Sequence, residues 1–150
     1  MPTIEHHDAT VRVRYAETDQ MGVVYHANYL IWFEVGRVEL MRALGVEYKR
    51  MEAEDDCHIV VADVHCRYHC SAQYDDVLRI RTRIAESRNR LVRFAYEVFR
   101  DADGTLLATG GTTHVICGSN GRPKTLPGKY RVLLTAAATA AAVAGDGSKG

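Results

Sequence analysis

The sequence predicts an α+β domain in which one antiparallel sheet packs against one long helix. Three observations carry this. A strongly apolar stretch of helical length occupies residues 28 to 44, three later segments alternate apolar and polar residues with a period of two, and short turn signals separate these from one another and from a last strand.

Residues 8 to 14, DATVRVR, set Ala9, Val11 and Val13 on one face and read as a short first strand. A turn follows, with Asp19 in it and Gly22 supplying the backbone freedom such turns need. Residues 28 to 44, drawn at about 100° per residue, place Tyr29, Leu30, Phe33, Gly36, Leu40, Met41 and Leu44 on one broad arc. Ile31, Trp32, Val35 and Val38 occupy much of the remainder, so this helix should be covered on most sides. Gly45 stops it. Arg37 falls within the apolar arc, with Glu34 one turn earlier as its expected partner; an internal ion pair or a snorkelling arginine is expected in preference to a catalytic role for Glu34.

Residues 46 to 55, VEYKRMEAED, read as a short polar helix or loop. From residue 58 to 70 the even positions Val60, Ala62, Val64, Cys66, Tyr68 and Cys70 form one expected buried face of a long strand. His65 and His69 then point away as surface or interface histidines. SAQYDD is turn-like, with Asp75 and Asp76 as turn residues rather than an acid/base pair. In the next strand Leu78, Ile80, Thr82 and Ile84 oppose Arg79, Arg81 and Arg83, the arginines forming a solvated sheet face. Arg88, Asn89 and Arg90 make a tight connection to a strand that buries Val92, Phe94, Tyr96 and Val98. Residues 101 to 104, DADG, form a further turn, and residues 105 to 117 the last strand. Gly110 and Gly111 inside it signal a bulge or a close backbone approach. Beyond Gly118 loop signals recur, residues 130 to 134 dock as a last helical turn, and residues 135 to 150 form an Ala/Gly-rich tail, expected to be weakly helical and frayed. The expected domain therefore spans residues 1 to 134.

At 150 residues, 47% hydrophobic, 25% charged and with formal net charge zero, the chain suits one globular domain with an ordinary core. No basic excess points to nucleic acid. The first residues, MPTIEHHDATVRV, lack a basic region followed by an apolar one, and no apolar run is long enough to cross a bilayer, so the expected location is the cytoplasm. The four cysteines, Cys57, Cys66, Cys70 and Cys117, are then expected as reduced thiols. Cys66 and Cys70, on one face of an extended segment, would stand roughly 13 Å apart, too far to chelate one ion. No metal is expected.

Tyr25, His26, Ala27 and Asn28 lead into the helix, so unpaired backbone N–H groups near His26 should lie within reach of Asp19. A carboxylate beside a helix N-terminus suits acyl transfer. The amides polarise a carbonyl oxygen, while the carboxylate attacks the carbon or activates water. Local capping of turn amides by Asp19 is the other reading of the same spacing, and the residues alone leave both open.

The pattern RYAETDQMGVVYHANYLIWFE, together with SAQYDDVLRI at residues 71 to 80, resembles the hotdog-fold acyl-CoA thioesterases of the 4-hydroxybenzoyl-CoA and Tol-Pal-associated type. The likeness extends over residues 10 to 134. It implies a five-stranded sheet wrapped around the central helix, two subunits joined into a continuous sheet with active sites at their interface, and tetramers as a common assembly. It further implies that Asp19 is the catalytic nucleophile or general base and that the His26 amide polarises the thioester carbonyl. Gly22, Tyr25 and Asn28 match positions that shape the loop and the helix start. Arg88, Asn89 and Arg90 lie where relatives bind the phosphates of coenzyme A, which suits guanidinium donors. The His26 side chain either assists a proton transfer or has a structural or substrate-orienting role.

The expected activity is hydrolysis of an acyl-CoA thioester to a free acid and CoA without a cofactor, CoA being part of the substrate. The acyl group stays open among aromatic, short-chain and medium-chain classes. Two rivals are an enoyl-thioester hydratase of the same fold, which pairs Asp and His at closer spacing, and a non-catalytic acyl-CoA or acyl-carrier-protein binding module. The second has no need of a carboxylate beside an electrophilic carbonyl.

Overall fold

Strands form where the alternation places them. The computed structural model describes residues 4–147; residues 1–3 and 148–150, the first of the expected domain and the last of the expected tail, lie outside the described residues. The order is β1 (His7–Arg12), a 3₁₀ turn (Tyr15–Glu17), α1 (Asn28–Ala43), α2 (Tyr48–Asp55), β2 (His58–Tyr68), β3 (Val77–Ser87), β4 (Leu91–Arg100), β5 (Leu106–Cys117) and α3 (Gly128–Gly147). The strands make one antiparallel sheet in the order β1-β3-β4-β5-β2. Helix α1 lies on its inner face, against β1, β3 and β4.

That inner face is built as the period-2 pattern requires. Leu78, Ile80, Thr82 and Ile84 of β3 and Val92, Phe94, Tyr96 and Val98 of β4 are all buried. They meet Phe33, Leu40 and Met41 from α1, with the Phe33 and Tyr96 rings stacked at 4.3 Å. On the outer face the arginine stripe is only partly solvated. Arg81 grips Asp8 of β1 with two bonds of 2.9 and 3.0 Å, and Arg79 and Arg81 both lie over the Phe99 ring. The Arg81 hydrogen bond holds the Asp8 carboxyl below its usual range.

Three expectations change. First, the buried face of β2 does not run through all the even positions. The register shifts between Val61 and Asp63, so Val61 opposes the buried His114 while Val60 opposes the exposed Val115; Val64 then opposes the buried Thr112. Ala62 is the extra residue of a β-bulge, and a bulge exchanges the two faces. Even so Val61, Val64 and Tyr68 remain 42–49% exposed, because β2 is the sheet's edge. Second, Arg37 does not pair with Glu34, which is exposed. It turns into the core and donates to the Tyr96 hydroxyl at 3.1 Å, where no desolvated carboxylate is required. Third, residues 135 to 147 continue α3, with Leu134, Ala137 and Ala141 buried and the helix lying along β3. Alanine's helix propensity and small side chain allow that close approach. None of the helices is long and apolar enough to cross a membrane among the described residues.

A chain of polar groups runs under α1. From Arg37 it passes to the Tyr96 hydroxyl, which shares a 2.6 Å bond with Thr112, whose hydroxyl lies 2.8 Å from His114 Nε2. Burial, reinforced by the Arg37 charge, pushes His114 down to about 3.

Two outcomes follow. Gly110 marks a close approach rather than a bulge: a Cβ there would stand 2.5 Å from the His65 carbonyl oxygen and 2.6 Å from the Phe33 ring. Gly110→Ala is therefore expected to lower unfolding free energy by about 1–3 kcal/mol in urea titrations. His114 is neutral in the fold and charges in the unfolded chain below its ordinary value near 6.5, so its contribution is complete above that pH and is lost as pH falls toward 3. Between pH 7.5 and 5 the protein should lose about 2 kcal/mol more stability than its His114→Gln variant.

Candidate active site

The chain between β1 and α1 doubles back on itself, and one carbonyl holds it there. The Glu17 backbone oxygen accepts the Tyr25 N–H at 2.8 Å and the Asn28 side-chain amide at 2.9 Å. The Glu17 carboxylate is buried and accepts the Arg14 N–H at 2.7 Å. Within the fold-back, the Asp19 N–H donates to the Val23 oxygen at 2.9 Å and the Gly22 N–H returns to the Asp19 oxygen at 3.0 Å. Gly22 carries φ +79°, which explains a glycine here. Val24 N–H donates to Ala72 at 2.8 Å, and Val23 bridges Gln73, so the loop is tied to the turn preceding β3.

Asp19 performs the capping expected of a turn aspartate, its Oδ1 accepting the Met21 N–H at 2.8 Å. The same carboxylate is exposed and lines a cavity of about 330 Å3 with His26, Tyr29, Tyr68, Cys70 and Ser71. The two readings of Asp19 are thus compatible. Oδ1 holds the turn, and the residue borders the cavity.

Helix α1 begins beside it. Ala27 precedes its first residue with no side-chain cap; Asn28 N–H bonds to Tyr25 and Tyr29 N–H to His26. Among the described residues the N–H groups of His26 and Ala27 have no acceptor, so the positive end of the helix is presented bare. Tyr25 packs tilted on the His26 ring at 4.5 Å, shaping the mouth. Tyr29 stands at the cavity's inner wall, where burial pushes its phenol up, and Tyr68 is pushed up to about 12 by the same cause. Both rings are neutral and line the cavity.

Of the residues singled out in the sequence, Asp19, Gly22, Tyr25, His26 and Asn28 are brought together. Arg88, Asn89 and Arg90 are not. They form the β3–β4 turn, at the opposite end of the 11-residue β3 from the Val77 end near Asp19, a span of roughly 33 Å. Arg88 pairs with Glu86, and Asn89 accepts from Arg131 at 3.0 Å. In the sequence Tyr29 falls on the apolar arc of the helix, and Tyr68, Cys70 and Ser71 fall on a strand and a turn. Their one local signal is adjacency to SAQYDD, which proves to be the segment against which the Asp19 loop is pinned.

A sheet with one helix on its inner face and a carboxylate at that helix's bare N-terminus defines a protein of the hotdog thioesterase class. Residues 13–141 match the family model described as the thioesterase-like superfamily, and the chain belongs to that superfamily. It is 34% identical over 114 residues to the acyl-CoA thioesterase YbgC of Haemophilus influenzae, covering 76% of this chain and 82% of that protein. Among solved structures, the DHNA-CoA thioesterase of Staphylococcus aureus superposes with a TM-score of 0.83 at 29% identity, covering 95% of each chain. A 4-hydroxybenzoyl-CoA thioesterase in complex with 4-hydroxybenzoyl-CoA shares the fold, with a TM-score of 0.80 at 22% identity over 87% of this chain and 99% of that one.

Proposed function

We propose that this protein hydrolyses acyl-CoA thioesters to a free acid and CoA. The observation that carries the reading is the shared cavity of the Asp19 carboxylate and His26 at the uncapped start of α1. Family membership and the acyl-CoA thioesterase relatives point the same way.

In the proposed reaction the thioester carbonyl oxygen points at the His26 N–H, which stabilises the oxyanion as it forms. The Asp19 carboxylate either attacks the carbonyl carbon or takes a proton from an attacking water. In the first case the C–S bond breaks to give a mixed anhydride and CoA thiolate, and water then opens the anhydride. In the second the tetrahedral adduct collapses directly, and the proton held by Asp19 passes to the departing sulfur. Both routes release one acid and one CoA. The His26 ring, exposed beside Tyr25, is placed to orient the acyl or thioester end.

Two copies complete the proposed site. Strand β2 is an unpaired edge with exposed Val60, Val61 and Val64, so pairing β2 with β2 of a second copy completes that edge. The Tyr68 end of β2 lies at the Asp19 end of the sheet, and its His58 end opposes Cys117, on the side of the β3–β4 turn. Antiparallel β2 pairing about a two-fold axis therefore sets a partner's turn of residues 88 to 90 beside this chain's Asp19, some four strand spacings or about 19 Å across. That distance suits the arm of an extended CoA ester, with its phosphates on the arginines.

A panel of acyl-CoA esters assayed for free-thiol release tests the reading and separates a hydrolase from a hydratase or a silent binder. Asp19→Asn is expected to lower kcat on the order of 10³-fold with the fold intact, while Glu34→Gln stays near wild type. The reverse pattern would move the acid onto the helix. Reversing the charges of Arg88 and Arg90 should raise KM about 10-fold while kcat changes little; an unchanged KM would make them ordinary turn residues.

A further inference from the structure

Tyr68 closes β2 and is 45% exposed, on a sheet edge where a phenol hydroxyl would ordinarily be left to water. Here the hydroxyl instead donates to the carbonyl oxygen of His26 at 3.0 Å. Its ring meets those of Tyr29 and His26 edge-on, at 5.2 and 6.2 Å. Nothing in the hydrolysis as set out above uses that hydroxyl.

The bond falls on a turn that is otherwise loosely held. The His26 oxygen also accepts the Tyr29 N–H, but at 3.3 Å, beyond the ordinary range for such bonds, and no side chain caps the helix start. The carbonyl and the N–H of His26 belong to one residue, so a grip on the first restricts the torsions that aim the second. An oxyanion donor works by being aimed before the charge develops, and such aim is lost when its supporting contacts are loose.

We infer that Tyr68 is a positioning residue for the thioester reaction: by holding the His26 carbonyl from the end of β2, its hydroxyl keeps the His26 N–H directed at the substrate's carbonyl oxygen. The inference rests on the reading of the His26 amide as the oxyanion donor. A phenol holds its proton across the neutral range, so the donor is always present. It also assigns β2 a part in catalysis that a sheet edge alone would not have.

Tyr68→Phe retains the ring and its edge contacts and removes the hydroxyl alone. On the ester that the wild-type protein cleaves fastest, kcat is expected to fall on the order of 10-fold with KM within about twofold, at an unchanged thermal midpoint and oligomeric state. Tyr68→Leu, which removes the ring as well, separates packing from hydrogen bonding. Unchanged kcat in Tyr68→Phe, a loss confined to KM, a fall in midpoint that tracks the fall in rate, or a loss seen only in Tyr68→Leu would each overturn the inference. Asp19→Asn assayed in parallel distinguishes the two levels. An inactive Asp19→Asn with a fully active Tyr68→Phe brings down the Tyr68 role alone, whereas full activity in Asp19→Asn brings down the proposed carboxylate chemistry and leaves Tyr68 to be judged on its own kcat.

Discussion

The backbone oxygen of Glu17 takes hydrogen bonds from both Tyr25 and Asn28, and the arrangement of the site descends from that atom. A carbonyl accepting two donors closes the segment between the first strand and the helix into a fixed loop. Everything placed along the loop is thereby placed in space. Asp19 is delivered to one wall, the helix start to another, and Gly22 lets the return path fit between them. Asn28 illustrates the economy of this: it is the first residue of the helix, yet its side chain binds backward to the loop instead of capping forward. The His26 and Ala27 amides just ahead of it have no acceptor among the described residues.

A second constraint is the burial of α1. Close packing of Phe33 against Tyr96 and Gly110 brings the helix onto the sheet, and Gly36 allows the same at Thr82, where a Cβ would stand 2.3 Å from the hydroxyl. The cost is a polar chain, from Arg37 to His114, held beneath the helix. Arg37 meets hydroxyls in place of a carboxylate, and His114 is kept neutral beside it. Such a chain supports a unique packing of the core because each member has few other partners to turn to. It also ties the core to pH, quite apart from the site at the other end of the helix.

The edge at β2 links fold to site. Its bulge at Ala62 exchanges the strand's two faces midway, so that Val64, Cys66 and Tyr68 point inward along the half that leads to the cavity. Without that extra residue, the residue at the end of β2 facing the helix start would be a different one. A strand that reads as a simple alternating segment is in this way adjusted to bring one phenol to one carbonyl.

Much of this was legible in the residues themselves. Alternation located β1, β3 and β4, the DADG turn signal marked the start of β5, the apolar run located α1, and Asp19, Gly22, His26 and Asn28 stood out because turn and helix-start preferences are local and act through a few neighbouring bonds. The phase of β2 was not, since an inserted residue shows only against the strand it pairs with. Nor was the partner of Arg37, which lies 59 positions away on β4 and is chosen by burial rather than by helical spacing. Residues 135 to 147 read as low complexity but extend a helix that docks along β3, because a surface to dock against is not written in the alanines. Most plainly, Tyr68 and Ser71 carry no mark of a site in their own neighbourhood. They join Asp19 only when the sheet closes and the loop is pinned to the segment beside them, so the sequence determined the elements and their chemistry, and long-range packing decided which side chains share the cavity.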